Sequence, residues 1–146
     1  MDKKDFELLD KLRENCRKPV KEMAKELGMP RTTVVERIKR LEKSGVIRSY
    51  EAIPDYEKLG KSILAFILVK YSPESGIKQE ITAQEVAKLK NVYAVHVISG
   101  EWDMIVKART ASIKELGQLV VTEMKKVPGI AESHSLISYI TEKDLI

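Results

Sequence analysis

Residues 20–47, VKEMAKELGMPRTTVVERIKRLEKSGVI, carry the clearest structural signal in this chain. They contain two amphipathic segments separated by a turn at Gly28. Ala24 is small enough for a following helix to approach closely, Gly28 accepts a left-handed turn, and Val34 can pack into the angle between the two helices. This spacing predicts a helix-turn-helix, whose second helix enters the major groove of double-stranded DNA.

Three helices are predicted in this first part of the chain. Asp2 can cap the first helix, Pro19 suits the first turn of the second, and Pro30 can start the third. Their apolar positions are Phe6, Leu8, Leu9, Leu12 and Cys16, then Val20, Met23, Ala24 and Leu27, then Val34, Ile38 and Leu41. Cys16 is the only cysteine, which excludes an intramolecular disulfide, and we expect it to be a small core residue.

The polar face of the third helix holds the candidate DNA contacts. Residues near the start of a recognition helix usually meet base edges. The candidates for sequence reading are therefore Arg31, Thr32, Thr33 and Glu36. Arg37, Lys39 and Arg40 are candidates for phosphate contacts or for intramolecular ion pairs. A solvated charged face would have a similar composition, and it is the turn spacing that favours DNA binding.

The positive charge of the chain is concentrated around these helices. The 146 residues have a formal net charge of +4. Residues 1–50 contain 14 Lys and Arg against 9 Asp and Glu, a balance of +5, whereas residues 51–146 contain 12 against 13, a balance of −1. A basic segment beside a nearly neutral one is typical of a protein that meets nucleic-acid phosphates through one domain.

Other function classes lack their sequence motifs. No apolar run is long enough to span a membrane, and the charged start lacks the apolar core of a signal peptide, so we expect a cytoplasmic protein. The sequence shows no glycine-rich phosphate loop, no nucleophile elbow and no residue pair with metal-ligand spacing. We therefore predict a protein that is not an enzyme and that needs neither a cofactor nor a metal.

The rest of the chain alternates strands and helices. Strands are predicted at residues 63–71, 92–98, 102–109 and 130–140, and helices at residues 77–89 and 112–127. In the second of these helices, the expected buried residues are Ile113, Leu116, Val120, Met124 and Val127. The order β-α-β-β-α-β is that of the ferredoxin-like fold. VIRSYEAI, residues 46–53, also has strand character.

The predicted fold class is α+β, with two domains. A winged-helix-like helix-turn-helix domain covers residues 1–50, a strand and linker cover 51–61, and a ferredoxin-like βαββαβ domain covers 62–146. Residues 63–69 are apolar on both strand faces, but two helices cover only one face of a four-stranded sheet. We therefore expect a homodimer that packs sheet against sheet, which would place two recognition helices about 34–36 Å apart on DNA.

Four segments in order resemble the Lrp/AsnC family of bacterial and archaeal transcription regulators. They are ERIKRLEKSGVIRSYEAI, PDYEKLGKSILAFILVK, VYAVHVISGEWDMIVKA and PGIAESHS. The resemblance covers nearly the whole chain and implies a sequence-specific DNA-binding regulator whose assembly or DNA binding responds to a small molecule, expected to be an amino acid. It also implies dimers that assemble into rings such as an octamer. The ligand would lie between dimers, near the loop that joins the second and third strands.

In this chain that loop contains Gly100, Glu101, Trp102 and Asp103, which match the family's order of glycine, variable residue, aromatic residue and aspartate. The resemblance implies room for a ligand at Gly100, an apolar wall at Trp102 and an ammonium partner at Asp103, while main-chain N–H groups hold a carboxylate. A simple hairpin turn with a buried tryptophan is the alternative. Ser133 and Ser135 stand where the family commonly has threonines. Their hydroxyls either line this pocket or are simply polar groups on one face of a strand.

Pro30 departs from the family pattern, which usually has a serine before the recognition helix, so we expect different capping there.

Two other functions fit parts of the sequence. Haem-precursor decarboxylases of the sirohaem type resemble the same two-domain architecture, and His96 or His134 would then bind or protonate a tetrapyrrole. A low-specificity architectural DNA-binding protein would also fit the basic charge of residues 1–50. The basic third helix favours DNA binding over the decarboxylase.

Overall fold

The computed structural model describes residues 1–144. The chain divides into two compact units, Met1–Ala52 and a second unit that begins at Ile53. The predicted linker, residues 51–61, spans this division, and residues 145 and 146 of the predicted second domain lie outside the described residues. No helix in residues 1–144 is long and apolar enough to cross a membrane.

The first unit consists of three helices around a small apolar core. They are α1 (Lys3–Glu14), α2 (Val20–Leu27) and α3 (Arg31–Lys43). Asp2 caps α1 as predicted, because its side chain accepts a hydrogen bond from the backbone N–H of Asp5. Gly28 ends α2 in the left-handed conformation, with φ 59° and ψ 40°. The shared core consists of Leu8, Leu12, Met23, Ala24, Leu27, Val34 and Leu41. The predicted helix-turn-helix is confirmed.

Two apolar residues assigned to the first helix are exposed. Cys16 lies beyond the end of α1 and is exposed, so the prediction that it is a core residue is wrong. Phe6 is 58% exposed. The buried line of α1 instead runs through Asp5, Leu8 and Leu12. A carboxylate therefore stands where the apolar pattern predicted a hydrophobic side chain.

The segment VIRSYEAI, residues 46–53, is not the predicted strand. It pairs with no other strand of the described chain. Ile47 donates its N–H to Leu41 O at 3.1 Å, and Tyr50 Oη donates to a Glu42 oxygen at 2.8 Å, so the segment folds back along the end of α3. The backbone N–H and C=O groups of a strand need a neighbouring strand to form hydrogen bonds with, and a pattern of alternating apolar residues does not show whether one is present.

The second unit is a four-stranded antiparallel sheet with helices on one face. Its elements are β1 (Ile63–Tyr71), α4 (Gln79–Ala87), β2 (Val92–Val97), β3 (Met104–Thr110), α5 (Ile113–Gly117) and β4 (Ile130–Ile137). After α5 the chain continues through a π-helical turn, Gln118–Glu123, and a 3-10 turn, Met124–Lys126. The strand order β2-β3-β1-β4 confirms the predicted ferredoxin-like fold.

The helices cover one face of this sheet. Ile67 and Val106 are fully buried beneath them. Ile113, predicted to be buried, is 58% exposed, whereas Leu119 is buried. The prediction for Ile113 is wrong because Ile113 is the first residue of α5, and the buried line of this helix begins one turn later, at Leu116.

The helices of residues 1–144 leave the other face of the sheet uncovered. Phe66 lies on this face and is half-buried, and Leu136 beside it is 46% exposed. Lys107 pairs with Phe66 in the sheet and so shares this face. Lys107 and Arg109 both form ion pairs with Asp144, which follows β4. This face combines an apolar centre with two cations that share the one carboxylate of Asp144.

Candidate nucleic-acid interface and ligand loop

The outward face of α3 is a largely polar surface whose side chains form no hydrogen bond or ion pair with the rest of the described chain. Arg31, Thr32, Val35, Glu36 and Lys39 line a shallow depression along this face. In residues 1–144 no hydrogen bond or ion pair engages these side chains, although Arg37 and Arg40 on the flank of the same helix are both engaged. Thr33 is half-buried beside the depression. A helix that binds in a major groove needs such unpaired donors and acceptors, because they form hydrogen bonds to base edges and phosphates.

Arg37 and Arg40 are held by the start of α1. Arg37 Nη1 lies 2.8 Å from both carboxylate oxygens of Asp2 and 2.6 Å from Asp5 Oδ1. Arg40 Nη2 donates to the two oxygens of Asp5 at 2.6 and 2.8 Å. Of the two roles that the sequence left open for these arginines, the structure shows intramolecular ion pairs. The side chain of Arg37 is 19% exposed and that of Arg40 is 59% exposed.

Asp5 is the centre of this cluster. Its side chain is fully buried. A hydrogen bond from the backbone N–H of Asp2, together with the guanidinium groups of Arg37 and Arg40, holds the pKa of Asp5 at about 2. The ionised carboxylate therefore joins the flank of α3 to the start of α1 and fixes the orientation of the outward face of α3. Sequence reasoning missed this role, because the spacing of Asp2 and Asp5 indicated only a helix cap.

The start of α3 has no side-chain cap. Pro30 occupies the capping position, and Val34 donates its N–H to Pro30 O at 3.1 Å. The N–H groups of Arg31, Thr32 and Thr33 precede this first bond and have no acceptor within the helix. They lie at the positive end of the helix dipole, where a phosphate oxygen is a favourable partner. The expected difference in capping at Pro30 is confirmed.

The loop between β2 and β3 is braced at its base and open at its tip. Ile98 donates its N–H to Asp103 O at 2.9 Å, and Asp103 donates its own N–H to Val69 O at 3.0 Å. Gly100 has φ +120°, and a Cβ there would meet nothing within 4 Å. Gly100 and Glu101 are exposed. The backbone N–H groups of residues 100–102 find no acceptor in the described part of the chain.

The carboxylate of Asp103 has a structural contact and a free oxygen. Asp103 Oδ2 accepts a hydrogen bond from the N–H of Tyr71 at 2.8 Å. The register between β1 and β4 shifts between Lys70 and Tyr71, so this carboxylate supplies an acceptor where the ladder is irregular. No partner of Oδ1 is found among residues 1–144. Asp103 thus stabilises the turn and retains one unused acceptor.

Trp102 lies between two side chains of the sheet. Lys70 Nζ is 5.5 Å from a ring centre of Trp102, and the His134 ring is 6.0 Å away. Ser133 and Ser135 alternate with His134 along β4 and therefore lie on its other face. The structure thus brings His134 to the predicted loop and places both serines away from it. Successive side chains of β4 point to opposite faces of the sheet, so His134 and its two neighbouring serines cannot all face the loop.

The two histidines are far apart. His96 and His134 stand at opposite edges of the sheet, at the ends of the cross-strand row His96, Ile105, Leu68 and His134. Residues 1–144 contain no group of three or more His, Cys, Asp and Glu side chains that could hold a metal ion. The two histidines therefore do not belong to one site.

Two family models match the chain. The AsnC-type helix-turn-helix domain matches residues 1–42, and the Lrp/AsnC ligand binding domain matches residues 64–145. An uncharacterized HTH-type transcriptional regulator of Pyrococcus furiosus is 38% identical over 146 residues, covering 100% of this chain and 97% of that protein. HTH-type transcriptional regulator FL11 of Pyrococcus horikoshii is 35% identical over 144 residues, covering 99% and 93%.

Solved structures share the fold of the whole chain. A transcriptional regulator of Neisseria meningitidis, solved as a complex with L-Met, has a TM-score of 0.90 at 24% identity, covering 99% of this chain and 93% of that one. AsnC of E. coli has a TM-score of 0.86 at 20% identity, covering 100% and 97%. The two family models and the HTH-type relatives favour a DNA-binding regulator over the haem-precursor decarboxylase.

Proposed function

Because the chain belongs to the Lrp/AsnC family of transcriptional regulators, we propose that α3 reads specific sequences in double-stranded DNA. The observation that carries this proposal is the contrast between the free outward face of α3 and its flank, where Arg37 and Arg40 are ion-paired. Arg31 can donate two hydrogen bonds to guanine, and Glu36 can accept one from cytosine. Lys39 is suited to a phosphate.

The side chains of Thr32 and Thr33 extend this reading surface. Their hydroxyls can donate to or accept from any base edge within reach. Thr32 is exposed on the depression, while half-buried Thr33 approaches from the side. Arg37 and Arg40 act as positioning residues, because their bonds to Asp2 and Asp5 set the direction in which the reading surface points.

We infer that the working form is a homodimer, with a ring such as an octamer as the larger assembly. The uncovered sheet face supports this, because Phe66 and Leu136 are apolar and only partly covered there. The ion pairs of Asp144 support it too, because they reduce the repulsion that Lys107 and Arg109 would meet from the same cations across a two-fold axis. Sedimentation equilibrium tests this, and a strictly monomeric protein would refute it.

We further propose that the loop at residues 100–103 binds the α-amino and α-carboxylate groups of an amino acid. The free N–H groups of Gly100, Glu101 and Trp102 can hold a carboxylate, and Asp103 Oδ1 can accept from an ammonium group. Trp102 would form an apolar wall, and His134 contributes to it. The L-Met complex of the Neisseria regulator supports an amino acid as the class of ligand.

DNA binding is tested by fluorescence anisotropy on a duplex from upstream of the protein's own gene. A shuffled duplex of the same length and base composition is the control. A specific regulator should prefer the first by at least about 10³-fold at physiological salt. A ratio near one would support the architectural protein instead. The titration is repeated in the presence of each common amino acid, and a change in affinity with one of them identifies the effector.

Asp103→Asn separates the proposed ligand contact from the structural contact. An asparagine oxygen can still accept from the Tyr71 N–H, while the negative charge that would pair with an ammonium group is lost. We expect unchanged DNA affinity without an amino acid and loss of the response to it. Glu101→Gln removes a charge from the same loop and should retain the response. A response that survives in Asp103→Asn would place the ammonium site elsewhere.

A further inference from the structure

The reading face of α3 contains one side chain that cannot form a hydrogen bond. Val35 lines the depression together with Arg31, Thr32, Glu36 and Lys39. It stands four residues after Arg31 and four before Lys39, so it occupies the centre of this face. The preceding residue, Val34, is fully buried in the helical core, whereas Val35 is partly exposed and is not a core residue.

A valine in this position needs an apolar partner once water leaves the interface. The C5-methyl of thymine is the apolar group that B-DNA displays in its major groove. The side chain of valine has one strongly preferred rotamer in a helix, so its two methyl groups are held in place before DNA arrives. We propose that Val35 contacts the C5-methyl group of a thymine in each half-site and makes that thymine part of the recognition sequence.

The same geometry disfavours cytosine and guanine at this position. Opposite cytosine, Val35 would leave the N4 amino group without an acceptor, and opposite guanine it would leave O6 and N7 without a donor. The polar neighbours Arg31 and Glu36 flank Val35 and would read the adjacent bases. This assignment rests on the proposed reading of DNA by α3, and the experiment below distinguishes its failure from failure of that reading.

The test removes single methyl groups from the DNA. The full-length protein first selects a duplex from a random pool, and each thymine of one half-site is then replaced by deoxyuridine. For the wild-type protein we expect one thymine at which the replacement raises Kd about fourfold, the factor expected from burying one methyl-sized group. In Val35→Ala the same replacement should leave Kd unchanged. Lys39→Ala should bind more weakly overall and retain the fourfold effect.

Val35→Ser serves as a second variant, and the helical circular dichroism signal of each variant is compared with the wild type. The proposal is overturned if no thymine responds to loss of its methyl group. It is also overturned if the penalty persists in both Val35 variants. If the pool yields no enriched duplex, the reading of DNA by α3 fails, and the assignment of Val35 fails with it.

Discussion

Lys39→Ala and Arg37→Gln remove a cation from the same helix, two residues apart, but should change DNA binding differently. Lys39 lies on the free outward face, so it is expected to contact a phosphate. Each lost phosphate contact lowers the slope of log affinity against log salt by about 0.9, so a dimer should lose about 1.8. When the salt concentration rises from roughly 50 to 200 mM, the affinity of Lys39→Ala should therefore fall by a factor about twelvefold smaller than that of the wild type.

Arg37 should behave otherwise because its guanidinium is already bound to Asp2 and Asp5 and its side chain is only 19% exposed. Removing Arg37 alone would leave two carboxylates undercompensated, so the matched variant is Asp2→Asn with Arg37→Gln. This pair keeps the net charge, and asparagine keeps the helix cap. We expect an unchanged salt slope, measured by anisotropy titrations on one duplex across the same salt range. Equal slopes for Lys39→Ala and the double variant would refute the assignment.

Two further predictions concern stability. Since the folded pKa of Asp5 is about 2 and its ordinary value is 3.8, the ionised carboxylate stabilises the helical unit above about pH 4, and this contribution is lost as the pH falls toward 2. Circular dichroism should follow that loss, and Asp5→Asn should show a weaker dependence on pH in this window; an identical dependence would contradict the role of Asp5. Gly129→Ala should destabilise the second unit by about 3 kcal/mol or more in urea unfolding, because φ is +92° and a new Cβ would lie 2.2 Å from Thr82 Oγ1. Gly60→Ala, with φ +70° and free space, should cost only about 1 kcal/mol, and equal losses would contradict the clash.

Most of the elements could be predicted because their signals are local. The spacing of Ala24, Gly28 and Val34 identified the helix-turn-helix, and Ser112 identified the start of α5. VIRSYEAI, residues 46–53, failed as a strand because strand formation depends on a partner edge that is remote in sequence. The prediction for Ile113 failed because apolar spacing alone does not show at which residue a helix first contacts the sheet, and here that residue is Leu116.

The candidate sites were predicted less completely. The residues of α3 were identified as a group, but their sequence could not show which cations are free. Asp5 lies 32 residues from Arg37 and 35 from Arg40, and its contacts with both exist only after the helices pack. The sequence left open whether Ser133 and Ser135 line the pocket or belong to a strand face, because a strand's register determines which alternate residues meet a given loop.

Periodicity, helix caps and turn residues act within a few positions along the chain. For that reason the amino-acid sequence was sufficient to predict the two-domain architecture and to identify α3 as the helix proposed to read DNA. Ion pairs, strand register and free hydrogen-bonding groups depend on residues that are distant in sequence and close in space. Folding therefore settled which side chains of α3 remain available, that one oxygen of Asp103 is already used, and that Val35 stands unpaired among polar neighbours.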